Sequence, residues 1–116
     1  MAILPMVNTI RKYDWGSLTE IPRLTGIENR ADEPMAELWM GTHSGGPSRV
    51  GLKDATPLLS AMIAADQEAM LGRRTAERFN GGLPYLFKVL AAEKPLSIQA
   101  HPDLAQARAG FERENR

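Results

Sequence analysis

The stretch LPYLFKVLA, residues 83–91, constrains the fold of this chain more than any other. Written as a strand, it sends Tyr85, Phe87 and Val89 to one face and Leu86, Lys88 and Leu90 to the other. Both faces are then largely apolar, so both need covering, which is the pattern of a central strand in a layered structure. Lys88 is the anomaly. It could snorkel to a sheet edge, but a lysine partly withdrawn from water gains most from an anion, and the residues favour a carboxylate or phosphate partner.

The neighbouring segments supply candidate sheet partners and covering helices. From Met1 to Lys53 short apolar runs alternate with turn formers, as in YDWGS, LTGIENRADEP and HSGGPSRVG, a pattern of short strands and loops. Within it, AELWMG reads as a strand with Glu37 and Trp39 on one face; the Glu37 carboxylate there pairs either with Lys88 or only with solvent. ATPLLSAMIAAD marks a change of style, with Thr56 as cap, Pro57 at the first helical position, and Leu58, Leu59, Met62 and Ile63 at helical spacing. A second helix is expected over QEAMLGRRTAERF, with Leu71 and Phe79 inward and Gly81-Gly82 as its stop; Gly72 weakens it. The chain closes on a third helix, capped by Asp103 with Gln106 three residues later and with Leu104, Ala107 and Phe111 on one face.

Between these, KPLSIQAHPD, residues 94–103, reads as another strand. Leu96, Ile98 and Ala100 would face the core, leaving Ser97, Gln99 and His101 together on the opposite face. Side chains two apart on a strand can converge on one ion. Gln99 and His101 alone are two ligands, however, and zinc sites need three or four, so alternation by itself favours a solvated face.

Composition narrows the chemistry. Fourteen Lys plus Arg balance fourteen Asp plus Glu among 116 residues, which removes the basic surplus expected of a nucleic-acid binder. No apolar run reaches membrane-spanning length and the start lacks the pattern of a secretory signal, so the expectation is a single cytoplasmic domain without nucleic-acid or membrane partners. With no cysteine, thiolate metal sites and disulfides are impossible.

Several motifs in register, KYDWGS, MAELWMGTHSGGPSRV and the long run from LPYLFKVLA to FERENR, resemble the type I phosphomannose isomerases over nearly the whole chain. The resemblance implies a mainly β architecture, a cupin or jelly-roll of antiparallel sheets with inserted helices, of which residues 1–116 would be the amino-terminal part. It implies a zinc-dependent aldose–ketose isomerase acting on a sugar phosphate. On this likeness Gln99 and His101 correspond to two zinc ligands, Lys88 to an active-site lysine, and Trp15, Glu37 and Ser97 to residues near the substrate pocket. The family's other ligands, a glutamate and a histidine, and an active-site arginine lie further along than this sequence reaches. Such a part would be inactive alone and prone to self-association. Ser44 stands where the family usually has proline, which bears only on the local turn. A non-catalytic module that binds a sugar phosphate is the alternative function.

Simpler readings accompany these. Trp15 could be core, His43 in its Gly-rich loop reads as a surface or supporting residue, and Arg73-Arg74 as a solvated helix end.

Overall fold

The computed structural model describes residues 3–98 and 100–115. In chain order its elements are β1 (Met6–Val7), β2 (Thr9–Arg11), α1 (Glu20–Thr25), β3 (Glu37–Met40), β4 (Arg49–Val50), α2 (Leu59–Ala65), α3 (Gln67–Leu71), α4 (Arg73–Arg78), β5 (Phe87–Leu90) and α5 (Leu104–Glu114). The architecture is one of antiparallel sheets with inserted helices. Strands β1 and β4 make a two-stranded sheet, and β2, β3 and β5 a three-stranded one in the order β2-β3-β5.

Register gives the larger sheet its two faces. Arg11 stands opposite Glu37, which stands opposite Leu90; Thr9 stands opposite Trp39, which stands opposite Lys88. Directly paired residues of antiparallel strands share a face. Thr9, Arg11, Glu37, Trp39, Lys88 and Leu90 therefore line one side, and Ile10, Leu38, Met40, Phe87 and Val89 the other. The second side meets the core, where Ile21, Met35, Leu38 and Ala91 are buried and Ile10, Met40 and Val89 pack against them.

Ile21 is fully buried and comes from α1, a helix absent from the sequence expectation. Pro22 obscures it, yet proline is harmless in a first turn, where the N–H groups have no helical acceptor. Glu20 opens the helix and Gly26, at φ 75°, closes it with its N–H on the Pro22 carbonyl at 2.8 Å. Burying Ile21 contributes about 1.5–3 kcal/mol.

Four other expectations are corrected. The helix foreseen from Thr56-Pro57 starts at Leu59, because the preceding residues extend along β4: the Val50 N–H donates to the Pro57 carbonyl and Arg49 bridges to Leu58. The next helix is two, split at Gly72, whose φ of 78° and ψ of 146° no helix contains; Phe79 becomes a half-exposed cap instead of an inward residue. Only Phe87–Leu90 of the 83–91 segment is strand. It pairs with β3 alone among the described residues, so β3 is the central strand and Phe87 and Leu90 remain half exposed. Finally, residues 95–98 form no strand; Leu96 is exposed, not core-facing, and Ile98 is wholly in solvent. Alternation specifies faces but supplies no partner, and no described strand pairs with this segment.

At the far end α5 has the foreseen capping box, with Asp103 accepting from the Gln106 N–H and Gln106 reaching back to the Asp103 N–H. None of its described residues is buried. No helix among the described residues is long and apolar enough to cross a membrane.

Candidate substrate cleft on the polar sheet face

The polar face of the larger sheet is the floor of a cleft of about 490 Å³, lined by Tyr13, Trp15, Glu37, Trp39, Lys88 and Leu90, with Pro95, Leu96 and Ser97 on one side. That volume lies within the range of small-molecule sites.

Trp15 reaches the cleft because of the turn at YDWGS. The Gly16 N–H donates to the Tyr13 carbonyl, and Gly16 and Ser17 then bridge to Ala92 and Met35. Gly16 has to be glycine: a Cβ there would lie 2.5 Å from the Ala36 backbone nitrogen. The Trp15 carbonyl in turn accepts from the N–H groups of Glu93 and Lys94, at 2.9 and 3.2 Å, which carries the following Pro95-Leu96-Ser97 over the cleft. Tyr13 stacks on Trp15 with ring centroids 5.7 Å apart.

Glu37 is the polar centre. Its side chain is only 10 % exposed, yet Oε2 accepts from Trp39 Nε1 at 2.5 Å and lies 3.7 Å from Lys88 Nζ. Of the two alternatives left by the sequence, pairing with Lys88 is the one realised. A carboxylate this far from water needs such partners. Lys88, 40 % exposed, also sits 5.4 Å from the centre of the Trp39 ring, so its ammonium is held between a carboxylate and an indole with one side facing the cleft. The combination of aromatic walls, a fixed carboxylate and a partly free cation suits a polyhydroxylated anion: ring faces meet C–H groups, the carboxylate accepts from hydroxyls, and the ammonium meets negative charge.

Trp15, Glu37, Lys88 and Ser97, foreseen as site residues, thus converge on one cleft. His101 does not line it. It lies exposed beside α5, in a separate recess of about 900 Å³ whose walls are Ala100 to Pro102 and the helix itself. Gln99 lies outside the described residues. No group of three or more His, Cys, Asp or Glu residues capable of holding a metal occurs among the described residues, so these residues do not by themselves compose a zinc site.

Two contributors escaped the sequence reading. Tyr13 is a wall, and Arg11 stands behind it, 5.5 Å from the Tyr13 ring and 5.1 Å from the Trp39 ring. The every-second-residue series Arg11, Tyr13, Trp15 was the available signal. His43 lies edge-on to Trp39 at 5.1 Å and accepts from the Gly45 N–H, a supporting role as expected.

Comparison with known proteins places this geometry. The family described as phosphomannose isomerase type I, catalytic domain, matches residues 3–116. A mannose-6-phosphate isomerase of Escherichia coli K12 is 45 % identical over 111 residues, covering 95 % of this chain and 28 % of the relative; the human enzyme is 40 % identical over 110 residues, covering 87 % and 26 %. A crystal structure of a zinc-bound mannose 6-phosphate isomerase superposes with a TM-score of 0.84 at 46 % identity, over 97 % of this chain and 28 % of that one. The chain therefore spans about a quarter of the length of these relatives.

Proposed function

Since the chain belongs to the type I phosphomannose isomerase family, we propose that it forms the substrate-binding wall of a zinc-dependent isomerase that interconverts mannose 6-phosphate and fructose 6-phosphate. The observation that carries this is the convergence of Trp15, Glu37, Lys88 and Ser97 on one cleft. The proposal extends to the cupin, or jelly-roll, closure of the fold, and to the cytoplasm as the place of reaction, since sugar phosphates are charged and stay in the compartment where they are made.

Aldose–ketose isomerisation moves a proton between C1 and C2 while negative charge develops on the adjacent oxygen. In this cleft Trp15 and Tyr13 flank the sugar ring, Glu37 accepts from its hydroxyls, and Ser97 closes over it from the 93–97 segment. Lys88 holds negative charge on the substrate, its ammonium kept in place by Glu37. On the family likeness Gln99 and His101 would be two of the ligands that hold zinc, His101 from the recess beside α5 and not from the cleft itself. Zinc, when bound, supplies Lewis-acid stabilisation of the developing oxyanion.

The test is a chimera in which this chain replaces the corresponding segment of the E. coli enzyme. It should isomerise mannose 6-phosphate in a coupled assay, and the His101→Ala form should lose both bound zinc and turnover. Stoichiometric zinc in that variant would remove His101 from the ligand set. A chimera that binds mannose 6-phosphate without turning it over would favour the non-catalytic module.

A further inference from the structure

We infer that Arg11 is a positioning residue for the cleft, clamping its two aromatic walls so that Trp39 presents its indole N–H to Glu37. The inference deepens the proposed sugar-phosphate site and rests on that reading for its substrate.

The clamp follows from register. Arg11 is the cross-strand partner of Glu37 and lies diagonally across from Trp39, on the same face of the sheet. Diagonal neighbours are within reach of long side chains. The guanidinium makes four contacts. Its Nε–H donates to Tyr13 Oη at 3.2 Å, its Nη1–H donates to the Gly45 carbonyl at 2.8 Å, and its Cζ lies 5.5 Å from the centre of the Tyr13 ring and 5.1 Å from that of Trp39. The result is an unbroken series of contacts along the polar sheet face, with Arg11 behind the cleft: Trp15 stacked on Tyr13, Tyr13 next to Arg11, Arg11 against Trp39, and Trp39 against Lys88.

The contact with Gly45 fastens the far side. Gly45 donates to His43 Nδ1, His43 packs edge-on to Trp39, and Gly46 is so close to that indole that a Cβ would lie 3.2 Å from its Cε3. Trp39 is therefore bounded by the 43–46 loop, by Arg11 and by Lys88, and its remaining polar atom, Nε1, meets Glu37. Arg11 itself does not line the cleft. It acts through Tyr13 and Trp39. A lysine in its place keeps the charge but lacks the planar fork that donates in two directions while stacking.

The two tryptophans of the chain, Trp15 and Trp39, both line the cleft, so intrinsic fluorescence reports on this site. Arg11→Lys and Arg11→Met should retain the far-UV circular dichroism of the wild type, while acrylamide quenching of the tryptophans rises about twofold as the clamp opens. In a fluorescence titration with fructose 6-phosphate, both variants should bind roughly tenfold more weakly, as expected for loss of one or two cation–π contacts and a hydrogen bond. Quenching and affinity equal to wild type in Arg11→Met would overturn the assignment. If Arg11→Met unfolds, the Arg11→Lys result decides on the same two readouts. A wild-type chain that does not respond to fructose 6-phosphate would sink the sugar-phosphate reading, whereas the acrylamide comparison would still decide the role of Arg11.

Discussion

Glu37 and Lys88 offer a quantitative test of the cleft. Their charges lie 3.7 Å apart, which corresponds to about 1 kcal/mol of attraction in water and about 4.5 kcal/mol at an effective dielectric constant of ~20. The 40 % exposure of Lys88 pulls the value toward the aqueous limit, so a coupling of about 1 kcal/mol is expected. The indole bond is worth more, because Glu37 is buried and Trp39 donates to a charged oxygen. Glu37→Ala should therefore destabilise the fold by about 3 kcal/mol, combining loss of a charge-assisted hydrogen bond with an indole N–H left unpaired. Lys88→Ala alone should cost about 1 kcal/mol. Urea unfolding of the wild type, the two single variants and the double variant, at one ionic strength, closes the cycle. Strict additivity, with a coupling below about 0.3 kcal/mol, would refute the view that these two groups hold each other in place and would leave Lys88 orientated by Trp39 alone.

Other perturbations follow from local geometry. Gly16→Ala drives a methyl into the Ala36 backbone and should lower stability by about 2 kcal/mol while shifting Trp15 fluorescence; a neutral effect on both would show that the turn yields freely. Asp103→Ala removes the capping box and should weaken α5 by about 1 kcal/mol, seen as lost helical dichroism with an unchanged main unfolding transition, since none of its described residues is buried.

What could be read from the sequence was whatever depends on neighbours along the chain or on alternation within a strand that finds a partner. The Asp103 cap needs only Gln106, three residues away. Glu37 and Trp39 sit on alternating positions of one strand, so their shared face was predictable, whereas the pairing of Glu37 with Lys88, one of two alternatives left open, was decided by register. Ser97 reached the cleft for a different reason, the hold of Glu93 and Lys94 on the Trp15 carbonyl, and not through the strand expected around it. That strand failed because the same alternation at 96–98 meets no described partner. Arg11 was invisible for the converse reason: its role depends on lying diagonally across from Trp39, 28 positions further on, and only the register decides that. Gly72 was noticed as a weakness in a helix, but whether a glycine merely loosens a helix or ends it depends on the backbone angles it adopts.

The two-faced register of β3 bears on how this chain tolerates mutation. Glu37 and Trp39 belong to the cleft, and Leu38 and Met40 to the core side, so every residue of the strand has an assignment. A saturation library should find almost no neutral substitutions there, although the two kinds of damage differ: changes at 37 and 39 would lower binding by more than their loss of stability accounts for, whereas changes at 38 would reduce binding and expression level in proportion. For this chain taken alone, the described residues of α5, none of them buried, should accept most replacements apart from proline without loss of the sheet's stability, so the two parts report separately on folding.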